Sequence, residues 1–340
     1  MNRTDIYILA IESSCDDTAA AVLVNDKVLS NVVARQSIHE EYGGVVPELA
    51  SRAHQQNIVP VVDVALKKAG ISANQLSAIA FTQGPGLMGS LLVGTSFAKS
   101  LSLALNIPLI AINHMHAHIL AHFIDEDGFE KPEFPFLALT ISGGHTQIVQ
   151  VNSFFNMEII GETTDDAVGE AFDKSAKILG FPYPGGPLID QFAREGNPKR
   201  YAFTRPKVDG LNFSFSGLKT QILYFIQKNV KENPNFVEEN KADICSSIQN
   251  IIIDILMEKV KMAVTQTGIT QVAIGGGVSA NSGIRATLKA AESKYGWKTF
   301  IPKFEYTTDN AAMIGIVGYY KFLEEQFNDA SIVSKARIEF

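Results

Sequence analysis

Between Asn113 and Phe123 the chain places His114, His116, His118 and His122, four of its seven histidines. Positions four apart on an α-helix lie only about 40° apart around the axis, so His114 and His118 can close on one ion from the same face. His116 points to the other side. His122 lies about 12 Å along the axis from His114, too far for a shared ion whose bonds are about 2 Å long. Two ligands are therefore expected here, and a third must come from elsewhere. The best remote candidate is Asp309, in the polar cluster Thr307-Thr308-Asp309-Asn310 ahead of an apolar helix starting at Ala311. Two histidines and one carboxylate leave positions open to a substrate, which suits a catalytic Zn(II) or Fe(II) rather than a closed structural site. The alternative is an ordinary polar helix face, with Asp309 serving only as an N-cap.

A second group of residues suits a different chemistry. Ser142-Gly143-Gly144-His145, Gly275-Gly276-Gly277-Val278-Ser279-Ala280-Asn281 and Gly84-Pro85-Gly86-Leu87 each follow an apolar strand-like run. Glycine turns leading from strands into helix N-termini present free backbone N–H groups and a favourable dipole to an anion such as phosphate. A third feature is a basic stretch from Arg194 to Lys207, with Lys199, Arg200 and Arg205 set among Tyr201 and Phe203. It reads either as a solvated loop or as a local RNA contact in which cations meet phosphates and rings stack on bases.

The elements that must carry these groups come in two similar sets. Residues 5–34 read as a β-meander, and the design recurs from Phe136 to Gly161. Setting Ile8 against Leu137 aligns the first strand of each meander at an internal offset of 129 residues. Such self-similarity implies two like lobes. Helices are expected over Pro47–Gly70 and Met88–Leu105 in the first half. In the second they are expected over Gly169–Leu179, Phe215–Val230 and Ala242–Thr265, then from Asn281 to Lys294. A meander plus helices, twice, with glycine turns facing a central cleft, is the plan of the α/β actin-like ATPase and sugar-kinase fold. The expected lobes are 1–131 with 309–340, carrying the metal ligands, and 132–308, carrying the glycine turns.

Composition narrows the function classes. With 340 residues, 46% hydrophobic and 19% charged, the chain can bury a large core and form two domains. No apolar run reaches the roughly 20 residues expected of a bilayer span. Cys15 and Cys245 are too few and too far apart for a disulfide framework, which fits a reducing cytosol. A formal charge of −7 leaves room for an RNA contact only if it is local or shared with a partner. A zinc-protease reading fails at Met115, where the His-Glu-x-x-His pattern requires a general-base glutamate. An ATP-dependent kinase or chaperone reading rests on the fold alone, and paired histidines are foreign to Mg-ATP chemistry.

Motifs spread along the whole chain resemble those of the tRNA N6-adenosine threonylcarbamoyltransferase family, bacterial TsaD type. They include Ile11-Glu12-Ser13-Ser14-Cys15-Asp16-Asp17-Thr18, Gly43-Gly44-Val45-Val46-Pro47-Glu48, the His114–His118 block, Ser142-Gly143-Gly144-His145-Thr146, Gly169-Glu170-Ala171-Phe172-Asp173-Lys174, Tyr183-Pro184-Gly185-Gly186-Pro187 and Thr308-Asp309-Asn310. The resemblance implies one divalent ion, iron or zinc, held by His114, His118 and Asp309. It implies a donor site at Thr140, Ile141, Ser142, Gly143, Gly144, Asp173, Gly186, Asp190 and Asn281. It further implies transfer of threonylcarbamoyl from its adenylate, threonylcarbamoyl-AMP, to N6 of the adenosine beside the anticodon in tRNAs reading codons that start with A. Bacterial relatives act with a degenerate paralogue (TsaB) and a small ATPase (TsaE). Glu12, at the end of the first strand, is the candidate for orienting or deprotonating the amine, unless it is bound only to backbone N–H groups.

Overall fold

The apolar run that opens the chain forms β1 (Tyr7–Glu12), buried from Ile8 to Glu12 in a computed structural model that describes residues 5–338 and Phe340. β1 pairs antiparallel with β2 (Thr18–Val24), and β2 with β3 (Lys27–Ala34). α1 (Ile38–Tyr42) and α2 (Pro47–Ala69) follow, the second entered through Pro47, whose missing N–H is no loss in a first helical turn. β4 (Ala78–Gly84) returns parallel to β1, α3 (Met88–Leu105) crosses over, and β5 (Leu109–Asn113) runs parallel to β4 into α4 (His114–Leu120).

The second half repeats the plan. β6 (Phe136–Ile141), β7 (Thr146–Ser153) and β8 (Asn156–Glu162) form the antiparallel meander. The helices α5 (Val168–Ile178), α6 (Gly186–Ala193), α7 (Ser216–Glu232), α8 (Phe236–Glu239) and α9 (Lys241–Thr267) lead to β9 (Gln271–Gly275), parallel to β6. α10 (Ser282–Tyr295) crosses to β10 (Lys298–Phe300), and α11 (Ala311–Leu323) returns to pack on β1, β2 and α4 of the first half. The two sheets have orders β3-β2-β1-β4-β5 and β8-β7-β6-β9-β10, the same connectivity twice. This is the actin-like plan expected from the internal repeat.

The chain divides into two compact units. The first runs to Lys131 and resumes at Pro302, and the second is Pro132–Ile301. Residues 302–308, expected with the second lobe, pack in the first. The Tyr306 hydroxyl donates to Glu126 Oε1 at 2.6 Å, and the Lys303 ammonium pairs with the same carboxylate. Among the described residues α3, at 18 residues, is the helix long and apolar enough to cross a membrane by length and composition alone. It serves as a layer of the first unit, packed on β4 and α2, with Phe97 and Leu101 against the core of Leu9, Ile79 and Phe81.

Candidate functional site

In the first unit β1, β4 and β5 run parallel, so their C-terminal ends lie along one edge of the sheet, where Glu12, Gly84 and Asn113 stand. Asn113 converts the end of β5 into the start of α4: its side-chain oxygen accepts from the Met115 amide at 2.9 Å, an N-cap. His114 and His118, one turn apart, meet edge to face with ring centroids 4.7 Å apart. Asp309 Oδ1 lies 3.4 Å from the Nε2 of each. Asp309 is not the cap of α11. That role falls to Asn310, whose side chain accepts from Met313 at 3.0 Å.

His118 is 1% exposed, and neither of its ring nitrogens has a hydrogen-bond partner among the described residues. An orphaned buried imidazole is costly. A cation between the three ligand atoms, which all lie within 4.8 Å of one another, would satisfy its Nε2. Two imidazoles and a carboxylate are a donor set for zinc or iron, so these residues fit a divalent metal ion. Burial drives the His118 imidazole below its ordinary pKa, which keeps the lone pair needed for a metal bond. His114 stands above its ordinary value, because Glu12 and Asp309 outweigh the effect of burial. Asp309 is held well below the carboxylate range, with burial overcome by the two histidines. A proton on His114 and a cation between the ligands are thus alternatives. His116 lies outside the cluster. Its ring packs on Phe340 at 4.8 Å, and burial, with Lys321 nearby, pushes its pKa down to about 4.

Glu12 is fully buried. One carboxylate oxygen accepts from the Ser14 amide at 2.5 Å; the other accepts from the Thr82 hydroxyl at 2.6 Å and lies 2.9 Å from His114 Nδ1. Both oxygens are engaged within the protein, and the carboxylate has no exposed surface. Its contacts join it to a candidate metal ligand. Burial raises its carboxyl, but the neighbouring His114 more than reverses this.

The second unit holds a cavity of about 590 Å³, within the usual range for small-molecule sites. Gly143, Asp173, Gly186, Asp190 and Asn281 line it. Thr140 and Ile141 do not: both are wholly buried in β6, and the Thr140 hydroxyl donates to the Gln147 carbonyl. Ser142 and Gly144 form the turn beside Gly143, with Ser142 Oγ accepting from the Gly144 and His145 amides. Backbones crowd here. A Cβ on Gly169 would stand 2.7 Å from the Ser142 carbonyl oxygen, and one on Gly276, at φ +89°, would stand 2.4 Å from that of Ile141. Asp173 Oδ1 accepts from the Gly185 and Gly186 amides at 2.9 and 3.0 Å, while its Oδ2 makes no hydrogen bond among the described residues. Asp190 is more committed, holding the Ser282 amide and hydroxyl and pairing with Arg194 at 3.1 Å. Asn281 caps α10 through the Ile284 amide and donates to Gln249.

Several lining residues escaped sequence reasoning: Phe172, Gln191 and Arg194. Phe172 stands one residue before Asp173. Arg194 opens the basic stretch, in which it and Arg205 are paired with carboxylates. Arg205 pairs with Asp254 and Glu258 of α9, and the Tyr201 and Phe203 rings turn inward onto Phe225, at 4.9 and 5.5 Å. Both rings are half-buried there.

Residues 27–316 match the family model described as tRNA N6-adenosine threonylcarbamoyltransferase, TsaD. A curated relative of that name from Christiangramia forsetii is 72% identical over 340 residues, covering all of both chains. Another from Porphyromonas gingivalis is 58% identical over 338 residues, 99% of each chain. Among solved structures, T. kodakarensis HypF superposes with a TM-score of 0.63 over 97% of this chain and 49% of that one, at 15% identity. At that identity the likeness is one of fold alone.

Proposed function

The chain belongs to the tRNA N6-adenosine threonylcarbamoyltransferase family, and from that membership we propose that it transfers a threonylcarbamoyl group from threonylcarbamoyl-adenylate to N6 of an adenosine in tRNA. The target is the adenosine beside the anticodon in tRNAs reading codons that start with A. The observation that carries the reading is the His114–His118–Asp309 cluster in a chain of this family.

The donor is a mixed carbamic–phosphoric anhydride. The N6 amine attacks its carbonyl carbon, a C–N bond forms, the C–O bond to phosphate breaks and AMP leaves with the electron pair, while the amine sheds a proton. The second unit supplies the adenylate site. Gly143 and Gly277 line the cavity without side chains, so backbone can approach a phosphate closely. Asp173, with Oδ2 uncommitted, suits a ribose hydroxyl better than Asp190 does. A divalent ion, Fe(II) or Zn(II), bound by the first unit would supply Lewis-acid polarisation of the carbonyl. His114, His118 and Asp309 would hold it. We place the protein in the cytoplasm with a degenerate paralogue (TsaB) and a small ATPase (TsaE). The acidic balance of the chain supports a tRNA surface shared with such partners.

A kinase of this fold must grip β- and γ-phosphates and bridge them with Mg. The transferase reading needs only one phosphate. Given preformed threonylcarbamoyl-adenylate and the paralogue, the chain should therefore modify tRNA for one turnover without ATP, scored by mass spectrometry of the tRNA. If product forms only when ATP is added, and this chain alone consumes the γ-phosphate in step with product, the transferase assignment is wrong.

A further inference from the structure

Every group around Glu12 has a hydrogen-bonding role that can be worked out. The Ser14 amide can only donate, and it does so to Oε1. The Thr82 hydroxyl donates to Oε2 at 2.6 Å, with the Ile11 carbonyl a longer alternative at 3.4 Å. A carboxylate can only accept, so His114 Nδ1, 2.9 Å from the same Oε2, must carry a hydrogen, and the Ser14 hydroxyl, 3.3 Å from Nδ1, then stands as a longer second acceptor. In the neutral ring that leaves the lone pair on Nε2, the atom facing Asp309 Oδ1 and the ligand cluster. His118 has no such support: its Nδ1 is without a partner among the described residues. The orientation of the cluster therefore leans on His114. The support comes from two neighbouring strands, because the β1–β4 register of Ile11 against Phe81 sets Glu12 beside Thr82.

We propose that Glu12 and Thr82 are positioning residues that hold His114 in the Nδ1–H form, so that its Nε2 joins His118 and Asp309 in binding a divalent cation. This rests on the metal reading above. It gives Glu12 a positioning role through His114 in place of a direct one toward the amine, carried by the contacts of its Oε2. Carboxylates that back metal-ligating histidines are worth about 10- to 100-fold in metal affinity.

The replacement Glu12→Gln tests the hydrogen count directly. One amide end must become a donor. The Ser14 amide rejects a donor at its end, so the NH₂ falls on the His114 side, where Nδ1 must then accept and Nε2 takes the hydrogen. Thr82→Val removes the hydroxyl at nearly constant volume, and Thr82→Ser restores it. Co(II) affinity, read by its visible absorption in competition with a chelator, should fall about 10- to 100-fold in Glu12→Gln and about 10-fold in Thr82→Val, with Thr82→Ser within about twofold of the parent. Long-range ¹H–¹⁵N spectra of histidine-labelled protein should show His114 protonated at Nδ1 in the zinc-loaded parent and at Nε2 in metal-free Glu12→Gln. Parent-like Co(II) affinity in both Glu12→Gln and Thr82→Val overturns the proposal. So does a Thr82→Ser affinity as low as that of Thr82→Val, because packing and not the hydroxyl would then matter. If His118→Ala and Asp309→Ala keep Co(II), the metal reading itself fails, a result separate from either of these.

Discussion

The two units share a strand order, yet they build their candidate sites from different materials. In the first unit the site is made of side chains: His114 and His118 from one helix turn, Asp309 from the entry to α11, and Glu12 and Thr82 from adjacent strands. In the second it is made largely of backbone, with glycine turns after β6 and β9 and a carboxylate pinned by two amides. The same position in the repeat shows the contrast. Glu12 ends β1, and its counterpart at the offset of 129 residues is Ile141, an apolar residue under the Ser142 turn. A zinc or iron ion takes imidazole and carboxylate donors, which backbone lacks, whereas a phosphate is met by N–H groups that any close-packed turn can offer. A duplicated scaffold thus carries two chemistries by changing which atoms stand at the strand ends.

If that division holds, the largest effects come from the side-chain site. His118→Ala or Asp309→Ala should remove the metal and lower transfer by at least about 10³-fold, the several kcal/mol that a Lewis acid contributes to the transition state. AMP binding to the second unit should be unchanged, as measured by calorimetry. Loss of AMP binding in either variant would show that the two sites are not independent.

A smaller effect is expected from the backbone-built site. Asp173→Ala removes a carboxylate that accepts from Gly185 and Gly186, and with it the proposed ribose contact. Hydrogen bonds to charged groups are worth about 1.5–3 kcal/mol, so AMP affinity should fall by about 10- to 100-fold while elemental analysis finds the metal still bound. Unaltered AMP affinity would move the ribose contact to another residue, with Asp190 the next to test.

How much of this was readable in the chain depended on the range of the contact. The His114/His118 pair lies within one helical turn, so spacing alone placed it. The repeat of strand, turn and strand was legible because the apolar runs and glycine turns recur in order. The helix Gly186–Ala193 was not picked out as an element, since eight residues hold little periodicity and begin with Gly-Pro. Thr82 was invisible as a partner of Glu12 because 70 residues separate them and only the parallel register joins them. The contacts of Tyr201 and Phe203 were hidden for a related reason. Cations among aromatics look like a nucleic-acid surface, but Phe225 and the acidic face of α9 claim the rings and Arg205.

The smallest metal effect should come from His116, although it lies between the two ligands in sequence. His116 is two positions from each of His114 and His118, so its side chain leaves the helix on another side and meets Phe340, with no ligand atom of the cluster near enough to join it. His116→Ala deletes a buried ring and its edge contact with Phe340, which should cost about 2 kcal/mol of stability, the range for loss of buried packing. Metal content per chain should stay at the parent value, and transfer should stay within about threefold once folded protein is counted, because stability and site chemistry separate when no ligand is touched. Thermal melts and elemental analysis on the same preparation decide the matter. A variant that keeps its melting temperature but loses metal would place His116 in the coordination sphere, and the argument from helical faces that selected His114 and His118 would have to be abandoned.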